Sequence, residues 1–341
     1  MTFRVQVRQL PAALEVAAGQ TILEAAQSAG YDYPCGCRSG NCGACKSVLL
    51  SGEVEMAPYS EFALTEAEKA SGLVLACRAV PWSVVEIAWL EADEVAAHAQ
   101  RQMTCRVAAI EAMTHDIKRV RLEVVSGGPF NFSAGQYAEV TFDGLPPRDF
   151  SMANQDGEAF IEFHIRAMAG GATSQYVQHR LKRGDGVRVA GPRGISFLRE
   201  KHAGPIVALA GGSGLAPIKA IVERALALGL RQPISLYFGV RDERDLYLEA
   251  NFQRLTAKHG NFRFMPVLSE PDAPTVRRTG FLADVLAQDF TSLDGAKVYL
   301  AGPPIMVETC VAAAARLGAR KQDCHADAFY TEADKARLAA Q

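Results

Sequence analysis

The sequence predicts a multidomain chain, α+β at its start, an antiparallel β-barrel in its middle and doubly wound parallel α/β at its end. Three observations predict it. The first 95 residues mix short alternating strands with one helix around a cysteine-rich loop. Residues 103–200 are a run of short β-rich segments separated by Gly and Pro. From residue 204 onward, apolar strands alternate with helices. At 341 residues the chain is long enough for two or three domains.

In the first part, FRVQV and ALEVAAG read as strands by their alternation. TILEAAQSAG reads as a helix, with Thr21 able to cap it and Gly30 able to end it. KSVLLSGEVEM and VVEIAWL read as further strands, and a polar, alanine-rich linker over 91–102 closes the unit. In the second part CRVAAIEAM, IKRVRLEVV, AEVTF, AFIEFHIR and GVRVAG are strands, and SQYVQHRLKRG is a helix. In the third, PIVALAG, PISLYFGV, FRFMPVL and KVYLAG are strands. APIKAIVERALALG, LYLEANFQRLTAKHG, FLADVLAQDF and MVETCVAAAARLG are the helices between and after them.

Composition removes several function classes. Almost half the residues are apolar, 22% are charged and the net charge is −2, which gives no support for a nucleic-acid partner. No apolar run reaches the roughly 18 residues of a membrane span. The start, MTFRVQVRQL, lacks the apolar stretch of a signal peptide, so a cytoplasmic location is expected.

The most specific chemistry lies in YPCGCRSGNCGACK. Cys37, Cys42 and Cys45 have the spacing C-x4-C-x2-C, with Cys77 as a distant fourth. Plant-type [2Fe–2S] ferredoxins use this spacing, and the glycines let a loop wrap closely around two irons and two sulfides. A zinc site of Cys35, Cys37, Cys42 and Cys45 is the alternative, but it leaves Cys77 without a purpose. Cys105, Cys310 and Cys324 read as buried or incidental thiols.

With its cysteine loop, the first unit resembles a plant-type ferredoxin, a β-grasp domain. The whole chain resembles the ferredoxin–NAD(P)H reductase superfamily in the arrangement of bacterial oxygenase reductases. The tracts EFHIRAMAGG, GPRGISFLREKHAGP, LYFGVRDERDLY and HADAFY make the likeness most specific to the reductase components of naphthalene-type aromatic-ring dioxygenases. That implies a ferredoxin domain over 1–95, an FAD-binding barrel of six strands over 103–200 and an NAD-binding domain over 204–341.

The resemblance also implies roles. Arg148-Asp149-Phe150-Ser151 matches the family motif R-x-[YF]-[ST]. It implies Arg148 on the flavin pyrophosphate, Phe150 against the ring and Ser151 near N5, where hydride arrives. Taken alone, the same tetrapeptide is also a strand end with a solvated arginine. Gly171, Thr173 and Ser174 precede or open a helix whose N–H groups suit a phosphate, although an ordinary N-cap would look the same. Arg166 lies where the family's strand passes the flavin, whereas His164 reads as a strand-packing histidine and His115 has no supporting context. Phe329, with Tyr330 as the alternative, stands where the family places an aromatic residue near the flavin. Both also fit as core aromatics docking a C-terminal strand.

Gly212-Ser213-Gly214-Leu215-Ala216-Pro217 is a strand–turn–helix glycine motif, G-x-G-x-x-P, that matches the superfamily's nicotinamide turn. Gly302, Pro303 and Met306 match the family's [CA]-G-P-x-x-M, with Ala301 where many members have cysteine. Arg241, Asp242 and Glu243 follow the next strand of this domain. Two carboxylates there would repel a 2′-phosphate, so NADH is expected over NADPH, although Arg241 and Arg244 oppose that effect. The expected activity is hydride transfer from NADH to FAD and single-electron transfer to the [2Fe–2S] cluster. The acceptor is a terminal oxygenase of aromatic hydrocarbon catabolism or its small ferredoxin. Alternatives are a di-iron hydroxylase or deoxysugar dehydratase as acceptor, or a redox-sensing protein without turnover.

Overall fold

Short segments that bury every second side chain must pair as strands, and a computed structural model shows how they do so. It describes residues 1–90, 94, 98–331 and 334. The chain divides near residue 95 into two compact units. Of the linker expected over 91–102, residues 91–93 and 95–97 lie outside the described residues, and Arg101 and Gln102 already belong to a strand.

In the first unit β1 (Thr2–Val7) and β2 (Leu14–Ala17) form a hairpin that sets Val5 opposite Leu14. Thr21 caps α1 (Ile22–Ser28): its hydroxyl accepts from the Glu24 N–H while the Glu24 carboxylate accepts from the Thr21 N–H. Gly30 follows at φ 79°, the left-handed turn that ends a helix. The long strand expected at 46–56 breaks at Gly52 into β3 (Lys46–Ser51) and β4 (Val54–Met56). Next come α2 (Glu66–Ala70), β5 (Leu73–Leu75), β6 (Ala79–Pro81) and β7 (Val85–Trp89). The main sheet has the order β2-β1-β7-β3-β5 with β1 and β7 parallel, a β-grasp arrangement. Val5, Val7, Ile22, Leu23, Leu75 and Ile87 fill its core.

The second unit begins with a barrel. Its strands are β8 (Arg101–Ala112), β9 (Ile117–Ser126), β10 (Tyr137–Phe142), β11 (Arg148–Ser151), β12 (Ile161–Arg166) and β13 (Gly186–Arg193), with α3 (Ala172–His179) before the last. They pair antiparallel in the order β11-β10-β13-β8-β9-β12. A bridge between Met152 and Phe163 joins the two ends, so the barrel is nearly closed.

A six-stranded, all-parallel sheet follows. It contains β14 (Ile206–Gly211), α4 (Leu215–Ala227), β15 (Ile234–Val240), α5 (Glu249–Lys258), β16 (Phe262–Leu268), β17 (Arg278–Thr279), α6 (Leu282–Asp289), β18 (Lys297–Gly302), α7 (Pro304–Arg316) and β19 (Cys324–Ala328). Every residue of β14 and β18 is buried, as expected for central parallel strands covered on both faces. Each fully buried Leu, Ile or Val there contributes about 2 kcal/mol. The order is β17-β16-β15-β14-β18-β19, so the chain reverses direction between β14 and β18. Open parallel sheets bind ligands at the C-terminal ends of strands on either side of such a reversal. No helix among the described residues is long and apolar enough to cross a membrane.

Candidate functional site

The cysteine loop between α1 and β3 folds back on itself. The Cys37 N–H donates to the Cys42 sulfur at 3.2 Å and the Asn41 N–H donates to the Cys37 sulfur at 3.1 Å. Cys77, just beyond β5, donates its N–H to the Cys45 sulfur at 3.4 Å, so the distant fourth cysteine does reach the loop. Gly43 sits at φ 72°, and a Cβ on it would come 2.8 Å from the Ala63 carbonyl oxygen. A hydrogen bond from the Cys42 thiol holds Cys37 down to about 5, whereas that same bond, together with burial and neighbouring sulfurs, raises Cys42. Cys45 is raised in the same way by its hydrogen bond with Cys77. Four crowded sulfurs cannot all ionise unless cations sit among them. Arg38 Nε and Arg78 Nε are buried nearby without a protein partner among the described residues, which suits an anionic iron–sulfur group. The residues present therefore fit a cluster of two irons and two sulfides. Burial raises the thiols far from the loop, Cys105 and Cys310 to about 12 and Cys324 to about 11, as expected of structural cysteines.

In the barrel, β11 is the Arg148–Ser151 motif itself, paired with β10 so that Ser151 faces Tyr137. The Ser151 hydroxyl donates to Asp327 Oδ2 at 3.0 Å, a partner that sequence reading missed. The Arg148 guanidinium is partly exposed and donates to the Pro147 carbonyl. Phe150 lies against the barrel core, its ring 6.3 Å from that of Phe163. At the start of α3, Gly171 is the N-cap, and no side chain caps the helix among the described residues. The hydroxyls of Thr173 and Ser174 turn inward: Thr173 donates to the Pro146 carbonyl, while Ser174 accepts from the Met168 N–H. What this turn offers a phosphate is therefore its backbone N–H groups.

At the reversal of the parallel sheet, Gly212 and Gly214 form a short turn between β14 and α4, with Pro217 buried in the first turn of α4. A Cβ on Gly214 would collide with the Ala301 carbonyl. Gly302 sits at φ 145°, where its own Cβ would press on Gly211, and Pro303 caps α7. The Met306 sulfur closes over Gly211. The Phe329 N–H donates to the Gly302 carbonyl at 2.9 Å, and its ring packs against the core of this sheet. The two glycine turns and the end of β19 thus share one edge.

Arg166 stands at the end of β12, where that strand meets the Gly212 turn. Its guanidinium lies against Gly212, with Nη1 3.1 Å from where a Cβ would be, and its Nε is held by Asp116 at 2.7 Å. Arg241 is held by Asp245 at 3.1 Å. His115 completes this group, 3.6 Å from Asp245 and 3.8 Å from Asp116. Arg277 pairs with both Glu243 and Glu249.

Three family patterns match along the chain. The 2Fe-2S iron-sulfur cluster binding domain covers residues 5–81, the oxidoreductase FAD-binding domain residues 104–197 and the oxidoreductase NAD-binding domain residues 208–312. A reductase component of the naphthalene 1,2-dioxygenase/salicylate 5-hydroxylase systems of Ralstonia sp., a ferredoxin–NAD(P)(+) reductase, is 39% identical over 93% of this chain and 95% of its own. This chain belongs to the ferredoxin–NAD(P)(+) reductase family. The corresponding reductase component of the Pseudomonas putida naphthalene 1,2-dioxygenase system is 37% identical over 92% of this chain and 94% of its own. A crystal structure of an Amycolatopsis cytochrome P450 reductase superimposes with a TM-score of 0.78 at 36% identity, covering 96% of this chain and 99% of that one. The reductase is an NAD(P)H-dependent oxidoreductase whose three cofactors are a [2Fe–2S] cluster, FAD and a nicotinamide dinucleotide.

Proposed function

We propose that this reductase takes electron pairs from NADH and delivers single electrons to the terminal oxygenase of an aromatic-ring dioxygenase system, or to that system's small ferredoxin. The observation that carries this reading is the likeness to two naphthalene dioxygenase reductase components, which runs through all three cofactor domains. FAD is the necessary intermediary, because nicotinamide gives electrons in pairs and an iron–sulfur cluster takes them singly. The chain would work as three domains, 1–95, 103–200 and 204–341, in the cytoplasm.

Cys37, Cys42, Cys45 and Cys77 would hold the irons. Arg148 and the N–H groups after Gly171 would take the flavin pyrophosphate, Phe150 and Phe329 would flank its ring, and Ser151 would stand near N5. Gly212, Gly214 and Pro217 would seat the nicotinamide dinucleotide against Gly302, Pro303 and Met306. Arg166, pressed on Gly212, brings a positive charge to that seat.

NADH is favoured because two cations near the end of β15, Arg241 and Arg277, are already engaged, which leaves Arg244 as the opposing charge. Asp245 holds Arg241, and Glu243 and Glu249 hold Arg277, while Asp242 remains in the path of a 2′-phosphate. Repulsion of that kind is worth at least tenfold, so kcat/KM for NADH should exceed that for NADPH by about tenfold or more. Equal values would remove the preference. The acceptor is tested by reconstitution with purified oxygenases. Turnover with an aromatic-ring dioxygenase and little with a di-iron hydroxylase is expected, and the reverse would reassign the partner.

A further inference from the structure

Between the barrel and the parallel sheet lies a buried polar cluster that the cofactor motifs do not use. Its centre is Glu162 on β12, which is 4% exposed. Arg121 donates to one carboxylate oxygen at 2.8 Å, and His164 Nε2 lies 3.1 Å from the other. Lys219, on α4, stands 3.7 Å from that second oxygen. Two arms leave this centre for the nicotinamide side. The Lys219 ammonium donates to the Ala153 carbonyl at 2.8 Å, two residues beyond Ser151, and is held by Glu223 at 2.9 Å. His164 Nδ1 is 3.2 Å from the Tyr247 hydroxyl, which also donates to the Gly212 carbonyl at 3.3 Å.

The chemistry fixes the direction of these bonds. Glu162 is an anion here, and His164, fully buried, stays neutral with its proton on Nε2 facing that anion. Nδ1 is then an acceptor. The single Tyr247 proton is shared between Nδ1 and the Gly212 carbonyl. The Tyr247 ring is clamped edge-on by His164 and Phe238 at 5.4 and 5.5 Å, so the hydroxyl has little freedom to leave.

We propose that Tyr247 and Lys219 are positioning residues for hydride transfer. Through Glu162 they fix the Gly212 turn and α4 at a set distance from the strand end that carries Ser151. This deepens the reading above and rests on it, since it takes the Gly212 turn as the nicotinamide seat and Ser151 as a flavin neighbour. Neither residue touches a reacting atom. Small misplacements of donor and acceptor cost large factors in rate, so a tether at this place acts on the transfer step itself.

The test is Tyr247→Phe in the full-length, cofactor-loaded reductase, because it keeps the ring packing and removes only the hydroxyl. Three quantities are read: the dissociation constant for NAD+ by titration, the single-turnover rate of flavin bleaching, and its isotope effect with 4-deuterated NADH. In a variant that keeps its flavin, the dissociation constant for NAD+ should rise about threefold, the bleaching rate should fall on the order of tenfold, and the isotope effect should rise. Lys219→Gln breaks the other arm and should do the same, which covers the case in which Tyr247→Phe loses its flavin. Wild-type values for all three quantities in both variants, with only a lowered melting temperature, would overturn the proposal. Ser213→Asp separates this from failure of the underlying reading. It puts a negative charge on the turn and should weaken NAD+ binding at least tenfold; unchanged binding would show instead that the turn is not the nicotinamide seat.

Discussion

At Glu162 a carboxylate keeps its charge where water hardly reaches. Burial works against the anion, but His164, Lys219 and Arg121 outweigh it and lower the group to about 2 from its ordinary 4.5. A carboxylate lowered on folding stabilises the fold fully above its unfolded value and loses that contribution as pH falls through the folded value. For Glu162 that window runs from about pH 4.5 down to about 2, and the contribution above it is about 3 kcal/mol. Glu162→Gln should therefore melt several degrees below the parent at pH 7, with the deficit shrinking below pH 4.5. A deficit that stays constant down to pH 3 would show that the charge is not what matters. None of this cluster was legible in the sequence. His164 reads as a packing histidine, and its partner Tyr247 is 83 positions away. Asp327 is 176 positions from Ser151. Such pairs exist only once the barrel and the parallel sheet have folded together. The cysteine loop was legible because three of its cysteines are close in sequence, in the spacing that plant-type ferredoxins use.

At the level of elements, the sequence showed what depends on local rules and missed what depends on neighbours. The cap at Thr21 and the stop at Gly30 mark α1, and the apolar runs mark the central parallel strands. The two-residue β17 and the five-residue α2 were not expected, because segments so short carry no period. The tail motif proves to be β19, paired parallel with β18. Its strand character comes from that neighbour more than from its own residues. The turn between β14 and α4 shows how tightly such elements meet, since Gly214 leaves no room for a Cβ beside the Ala301 carbonyl. Gly214→Ala must push β18 away from the turn. It should cost about 1–3 kcal/mol of stability in a denaturant melt, together with weakened nicotinamide binding. Unchanged stability would mean that the two strand ends are looser than this packing implies.

For the molecule as a whole, the three domains divide one problem: paired electrons enter and single ones leave. The parallel sheet and barrel meet in one compact unit, so the transfer from nicotinamide to flavin is arranged inside a shared frame. The cysteine loop belongs to the other unit and draws its order from its own core. Removing Cys42, a proposed ligand of the cluster, should therefore leave the first transfer intact and stop the second. The most direct measurement is anaerobic stopped-flow mixing with NADH of the loaded reductase and its Cys42→Ser variant, following flavin and iron–sulfur absorption together. In the parent the flavin band should bleach first, and the iron–sulfur band should follow. In the variant the flavin should bleach at the parent's rate, while reduction of a one-electron acceptor protein falls at least a hundredfold. Delivery to that acceptor at the parent's rate without Cys42, or a flavin that NADH leaves oxidised, would contradict the account.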